Sequence, residues 1–252
     1  MPEWLEAGLW GLVGGAALVL GAAVAWWARV SRRVVAGIMA FGAGVLISAL
    51  AFDLVDEAQR SGGLGPTAGG FLGGAAVYVA INVLLARRGA RHRKRSGAQQ
   101  PSEQDSAGSG AAIAVGALLD GVPESVVLGV SLLGGGGVGL TVLAAVFISN
   151  VPEGLSSAAG MKNAGRGAGY VFGVWSGIAL ASGVAALAGN VLLRTASPAT
   201  VAAITAVAAG AILAMIADTM IPEAFERTEL YTGLLATLGF LTAFVIERAG
   251  GG

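Results

Sequence analysis

The chain has 252 residues, 55% of them hydrophobic and only 12% charged, with fifteen basic and fifteen acidic side chains in balance. A soluble domain of that length carries about twice the charge. Zero net charge offers nothing to nucleic acid, and the lack of cysteine excludes disulfides and thiolate metal sites.

Stretches of about 20 apolar residues recur along the chain, which predicts an all-α polytopic transmembrane bundle forming a single domain over 1–252. The 42 glycines fit that class, because small residues let helices approach closely where lipid removes the hydrophobic drive for packing. Apolar runs between charges and turn signals give eight spans, at about 8–28, 34–58, 66–86, 109–133, 137–161, 168–193, 199–224 and 230–247. The first follows Glu3 and Glu6 rather than a basic run, so it reads as a retained helix and not a cleaved signal. Trp4, Trp10, Trp26 and Trp27 stand near predicted boundaries, as interfacial anchors do.

The second span ends on Asp53, Asp56 and Glu57, with Asp53 and Glu57 one turn apart. Asp56 reads as solvated at a helix end, and Asp53, one turn deeper, as a ligand candidate. After the third span the chain runs through Arg87, Arg88, Arg91, His92, Arg93, Lys94 and Arg95 into a Ser-, Gln- and Gly-rich stretch. Such a composition forms no core and predicts a disordered cytoplasmic loop over about 88–108, with His92 solvated and the basic run serving orientation and attraction to anionic lipid. With both termini outside the cytoplasm, 12 of the 15 Lys and Arg fall on inner loops, leaving only Arg60, Arg194 and Arg248 outside. The positive-inside rule selects this topology.

The fourth and fifth spans hold the chemistry. Asp120-Gly121-Val122-Pro123-Glu124-Ser125 and Ser149-Asn150-Val151-Pro152-Glu153-Gly154 each set acidic and amide oxygens beside a proline in an apolar run. A carboxylate at that depth costs roughly 2.5–3.5 kcal/mol on insertion scales, so it is rarely there without a partner. Asp120 and Glu124 share a helix face, as do Asn150 and Glu153. Pro123 and Pro152 are expected to kink their helices and free the carbonyls of Leu119 and Ile148. No Lys or Arg lies within either segment, so the expected partner is a divalent metal cation as substrate, with no resident cofactor. The seventh span adds Asp218 and Glu223 around Pro222; with Glu57 they mark a possible ion pathway.

A weak internal symmetry is present. Ala43-Gly44 and Glu57-Ala58 in the second span match Ala209-Gly210 and Glu223-Ala224 in the seventh, with equal spacing. Three helices, a central pair and three more would form a 3+2+3 pseudo-symmetric arrangement of the kind found in transporters.

The two motifs resemble those of the ZIP family of divalent-metal transporters, whose fourth and fifth helices carry sequences close to HNxPEG. The likeness extends to eight spans, outward termini, a long cytoplasmic loop after the third helix and an acidic end to the second. It implies a plasma-membrane carrier, homodimeric, that moves zinc, iron or manganese into the cytoplasm by alternating access. By that resemblance Asp120, Glu124 and Glu153 are principal metal ligands, Ser149 stands where the second motif has a ligand, Asn150 matches a secondary-site residue, and Asp53 supplies a further ligand. The chain departs from the family in lacking motif histidines, in placing Gly121 where the first motif has asparagine, and in having a basic rather than histidine-rich loop. A site of mostly oxygen donors is harder than the usual zinc site and shifts preference towards Mn²⁺, Fe²⁺ or Mg²⁺, although zinc still binds carboxylates tightly. Two other readings use the same acids: a proton-coupled organic-cation carrier, and a transport-inactive relative. No nucleophile–base pair appears, and neither Asp53 nor Asp120 sits in a GxGD-like setting, so an intramembrane enzyme is not favoured.

Overall fold

Glycine and alanine at helical spacing produce long helices packed with little room between them. The computed structural model describes residues 1–28, 30–95, 100–102, 104–106, 108–133 and 140–250. Arg29, the predicted start of the fifth span at 137 and parts of the 88–108 loop lie outside them. Among the described residues the regular structure is helical, with no strand: α1 (Glu3–Trp27), α2 (Arg32–Ala49), α3 (Asp56–Gly62), α4 (Leu64–Ala86), α5 (Ser109–Val130), α6 (Leu140–Asn163), α7 (Ala168–Leu193), α8 (Pro198–Met215), α9 (Ile221–Thr228) and α10 (Tyr231–Gly250). A π-helical turn, Leu50–Val55, joins α2 to α3, and another, Ile216–Met220, joins α8 to α9. Seven of the resulting runs are long and apolar enough to cross a membrane, and α10 adds a further 20-residue helix.

Two spans run longer than expected. The second continues through Gln59, Arg60 and Ser61 to Gly62, and an Arg60–Asp56 ion pair at 2.6 Å spans that exposed turn. It stops at Gly63, whose φ of +80° glycine adopts without strain. The seventh runs from Pro198 to Thr228. Both begin alike: Ser31 Oγ accepts the Val34 N–H at 3.3 Å, and Ser197 Oγ accepts the Thr200 N–H at 3.2 Å. The expected proline kinks do not interrupt the chain. α5 and α6 continue as helices through Pro123 and Pro152, and the departures from α geometry fall instead in the two π turns.

The packing follows the same pairing. α2 lies against α10 and α4 against α8. Gly44 meets the Ala236 carbonyl and Gly239 the Phe41 carbonyl, so closely that any Cβ would collide. Gly210 meets the Phe71 carbonyl and Gly74 the Val207 carbonyl in the same way. Phe41 and Gly44 on α2 keep the spacing of Val207 and Gly210 on α8. α1 packs on α6 and α7, and α5 on α7 and α8. The motif glycine Gly154 lets α6 touch the Leu18 carbonyl of α1. The acidic segments of α5 and α6 are thereby enclosed by α1, α2, α7 and α8.

The basic loop is not simply solvated. Gly89, at φ +95°, turns the chain after α4 into a 3₁₀ turn, Ala90–His92, and the next two side chains go inward. Arg93 is 2% exposed and Lys94 4%.

Candidate functional site

Among the described residues four carboxylic side chains are buried inside the bundle: Asp120 and Glu124 from α5, Glu153 from α6 and Glu223 from α9, each 3% exposed or less. Charge of that kind calls for balance within the protein, and for Asp120, Glu153 and Glu223 it comes from the loop.

Arg93 is the most fully engaged. Its Nε donates to Asp120 Oδ2 at 2.9 Å and its Nη2 to Asp120 Oδ1 at 2.8 Å, a two-pronged pairing that matches guanidinium to carboxylate. Nη1 donates to Asn82 Oδ1 at 2.7 Å, and Nη2 also donates to the Tyr78 hydroxyl at 2.9 Å. Tyr78 in turn donates to Asp120 Oδ1 at 2.7 Å. Burial works against the guanidinium charge, but Asp120 beside it, Tyr78 and Glu153 together outweigh this and raise the Arg93 pKa. α4 brings Tyr78 and Asn82 to the site from its inward stripe; Thr67, Gly74 and Tyr78 are its buried residues, and the rest of the helix is half-buried or exposed. Gly116 on α5 makes room, since a Cβ there would lie 2.6 Å from Arg93 Cδ.

Lys94 bridges the two motif helices. Its Nζ lies 2.8 Å from Glu153 Oε1 and 3.4 Å from Asp120 Oδ2. Arg95 continues the ladder, with Nε 3.2 Å from Glu223 Oε2 and Nη1 on Glu226. Ser156 ties the backbone down, donating to the Lys94 carbonyl and to Glu223 Oε1. Gln100 staples the far side: its Nε2 donates to the Arg93 carbonyl at 2.8 Å and the Ser157 carbonyl at 3.1 Å. His92 stays at the surface of this ladder, half-buried, lining a groove with Arg95, Pro222, Phe225 and Glu226.

The remaining predicted residues occupy other positions. Glu124 is 1% exposed, and neither carboxylate oxygen has a hydrogen-bond partner. It borders a cavity of about 10 Å³, room for one water at most, otherwise lined by apolar side chains including Leu54, Val127 and Val142. Those three also floor a wide vestibule of about 810 Å³ that holds Asp53, Asp56, Glu57 and Glu247. Asp53 therefore sits across an apolar constriction from Glu124 rather than beside Asp120. Ser149 donates its hydroxyl to the Val146 carbonyl at 3.0 Å, and Asn150 donates to the Gly14 carbonyl of α1 at 3.0 Å. Asp218 is exposed, while Glu223 is buried against Arg95.

Neither acidic segment contains a cation of its own; Arg93 and Lys94 reach them from the loop, and Arg95 reaches Glu223 and Glu226. That corrects the reading of the basic run as serving orientation and lipid attraction, and it puts cations of the chain where a metal was expected as the partner of Asp120 and Glu153. Among the described residues no three His, Cys, Asp or Glu side chains stand together closely enough to hold a metal ion. As arranged, the centre is an ion-paired cage whose cations belong to the chain. No protein-family model matches this sequence, and a comparison with curated proteins finds no match. Fold and site together define a helical, multi-pass membrane protein with a buried carboxylate centre.

Proposed function

We propose that this protein moves divalent metal cations across the membrane, into the cytoplasm, through the centre formed by Asp120, Glu124 and Glu153. The observation that carries the reading is the convergence of buried carboxylates from separate spans on one cationic group. Acids at membrane depth without transport or relay duty are rare, and here they already coordinate a positive charge. The cation substrate would replace the Lys94 ammonium between Glu153 and Asp120 and recruit Glu124, whose oxygens have no partner. Oxygen donors suit Mn²⁺ and Fe²⁺, and zinc also binds carboxylates well.

Repetition supports the same reading. Capping serine, close-approach glycine, π turn and glutamate succeed one another in α2–α3 and again in α8–α9, and the α2–α10 contact repeats as α4–α8. Three spans, a central pair and three more, related by a pseudo-twofold axis, account for this. In such folds the two repeats rock about a site near the midplane. With the termini outside a plasma membrane, as the basic residues favour, the Asp53–Glu57 vestibule is the outer mouth. The apolar constriction of Leu54, Val127 and Val142 closes it above Glu124, and the Glu223 side is the inner exit. The likeness of the two acidic motifs to those of ZIP carriers agrees with this assignment and brings with it a homodimer.

The test is uptake of ⁵⁴Mn²⁺ or ⁶⁵Zn²⁺ into proteoliposomes by wild-type protein, Glu124→Gln and Glu153→Gln. Saturable uptake lost in both variants supports the assignment; undiminished uptake in either removes that residue from the site. One observation favours a second reading, an organic-cation carrier: the centre as built grips an ammonium and a guanidinium. Saturable uptake of methylammonium or guanidinium without any metal requirement would establish it, and failure to move either class would mark a transport-inactive relative.

A further inference from the structure

We infer that residues 93–95 form a tethered cationic plug that occupies the transport centre and competes with the metal for its carboxylates. The inference rests on the transport reading above and adds a mechanism of control to it.

Three features distinguish a plug from a passing contact. First, the segment is built for insertion. Gly89 turns the chain back towards the bundle, Gly116 leaves a hollow where the Arg93 side chain lies, and Gly160 leaves another against the Arg95 carbonyl and Gln100. Second, successive cations meet carboxylates on three different helices: Arg93 meets Asp120 of α5, Lys94 meets Glu153 of α6, and Arg95 meets Glu223 and Glu226 of α9. A chance surface contact does not place three consecutive side chains on three partners. Third, the hold is unequal along the segment. Arg93 is fixed by Asp120, Tyr78 and Asn82, and Gln100 clasps the Arg93 and Arg95 carbonyls on either side of Lys94. Lys94 lies between those two anchors and has only carboxylates at its ammonium.

Lys94 is therefore the tooth of the plug. It presents a single positive charge to Glu153 and Asp120, and a divalent ion offers twice that charge to the same oxygens. A metal arriving from the vestibule can displace it, whereas the seated ammonium holds the centre neutral and shut at low metal. Seating also joins α5, α6 and α9 through one segment, so elements that must separate to open the inner path are cross-linked while it is in place.

A binding site blocked by its own chain for a fraction of the time shows an affinity reduced by the open fraction. If the plug is seated about nine-tenths of the time, removing the tooth tightens Mn²⁺ binding by about tenfold. The experiment exploits the lack of cysteine in the chain. Ser156→Cys introduces a sole thiol beneath the Lys94 carbonyl, where a seated plug shields it from a polar maleimide. The expected result is slow alkylation in purified protein, accelerated about tenfold or more by saturating MnCl₂ but not by KCl of equal ionic strength. Lys94→Met should tighten Mn²⁺ binding by a similar factor in titration calorimetry. Should Lys94→Met fail to fold, the Mn²⁺ dependence of Ser156→Cys alkylation decides alone.

An alkylation rate indifferent to Mn²⁺, together with Mn²⁺ binding that is lost in Glu153→Gln but unchanged in Lys94→Met, overturns the plug and leaves the metal site standing. Equal Mn²⁺ binding by wild type and Glu153→Gln, or none by wild type and Lys94→Met alike, overturns the transport reading and the plug with it.

Discussion

Replacing Arg93 by methionine tests whether the buried centre is held together as described. Methionine keeps much of the volume but removes the pair of bonds to Asp120, the bond to Asn82 and the one to the Tyr78 hydroxyl. Asp120, 1% exposed, is then left with the Tyr78 hydroxyl at 2.7 Å and the Lys94 ammonium at 3.4 Å. Removing one partner of a buried ion pair costs about 3–5 kcal/mol, because the other charge stays out of water. For a chain of this size each kcal/mol corresponds to about 2–4 °C in melting temperature, so Arg93→Met should melt on the order of 10 °C lower in detergent. Arg93→Lys should fall between, since an ammonium keeps the charge but loses the planar two-pronged match. Adding Asp120→Asn to Arg93→Met should recover part of the loss, as expected for residues in one network. A melting temperature for Arg93→Met within about 2 °C of wild type, with no coupling to Asp120→Asn, would refute the reasoning.

Other consequences follow from the same geometry. Tyr78→Phe removes one hydroxyl that both donates to Asp120 and accepts from Arg93, and a bond to a charged group is worth about 1.5–3 kcal/mol, which denaturant unfolding should report. Gly44→Val and Gly210→Val each drive a side chain into a facing carbonyl. Overpacking of that kind typically costs about 1–3 kcal/mol and occasionally more, and equal losses from the two in melting experiments would match their equivalent positions. His92 supplies a pH dependence: burial, then Arg95 and Arg91, hold its pKa below the ordinary value, with Glu226 opposing. A withdrawn loop then takes up the His92 proton first as pH falls through about 6.5, so acid weakens the seated state and neutral pH preserves it. The Ser156→Cys alkylation rate, as a ratio to the same variant carrying His92→Gln, should rise on going from about pH 7.5 to 5.5; a flat ratio removes His92 from the control.

Much of the architecture is legible in composition and period, because apolar runs of span length and glycine frequency are local properties. The paired acidic motifs and the AG and EA echoes are local as well, and they carried the expectation of a centre and a repeat. The partner of Asp120 was not legible: scanning each acidic segment finds no cation, whereas the structure brings Arg93 and Lys94 in from a loop whose composition alone reads as solvated. Charge count offered one clue, since four buried acids need balance and seven basic or histidine side chains stand together before α5. Tyr78 and Asn82 carried a weaker one, as polar residues a turn apart on an otherwise apolar span. The π turns had no readable signal in Leu50–Val55, which holds no proline, while the prolines expected to kink α5 and α6 are carried within continuous helix. Asp53 and Glu124 look equivalent as acids in apolar runs. Only packing reveals that Leu54, Val127 and Val142 stand between them.

The most direct measurement is a crystal structure of the protein grown with saturating Mn²⁺ and recorded at the manganese absorption edge. An anomalous peak bounded by Glu124, Glu153 and Asp120, with the Lys94 ammonium displaced from Glu153, is the predicted result. Lys94 still seated on Glu153 at full Mn²⁺ occupancy elsewhere, or no ordered Mn²⁺ at all, would contradict it.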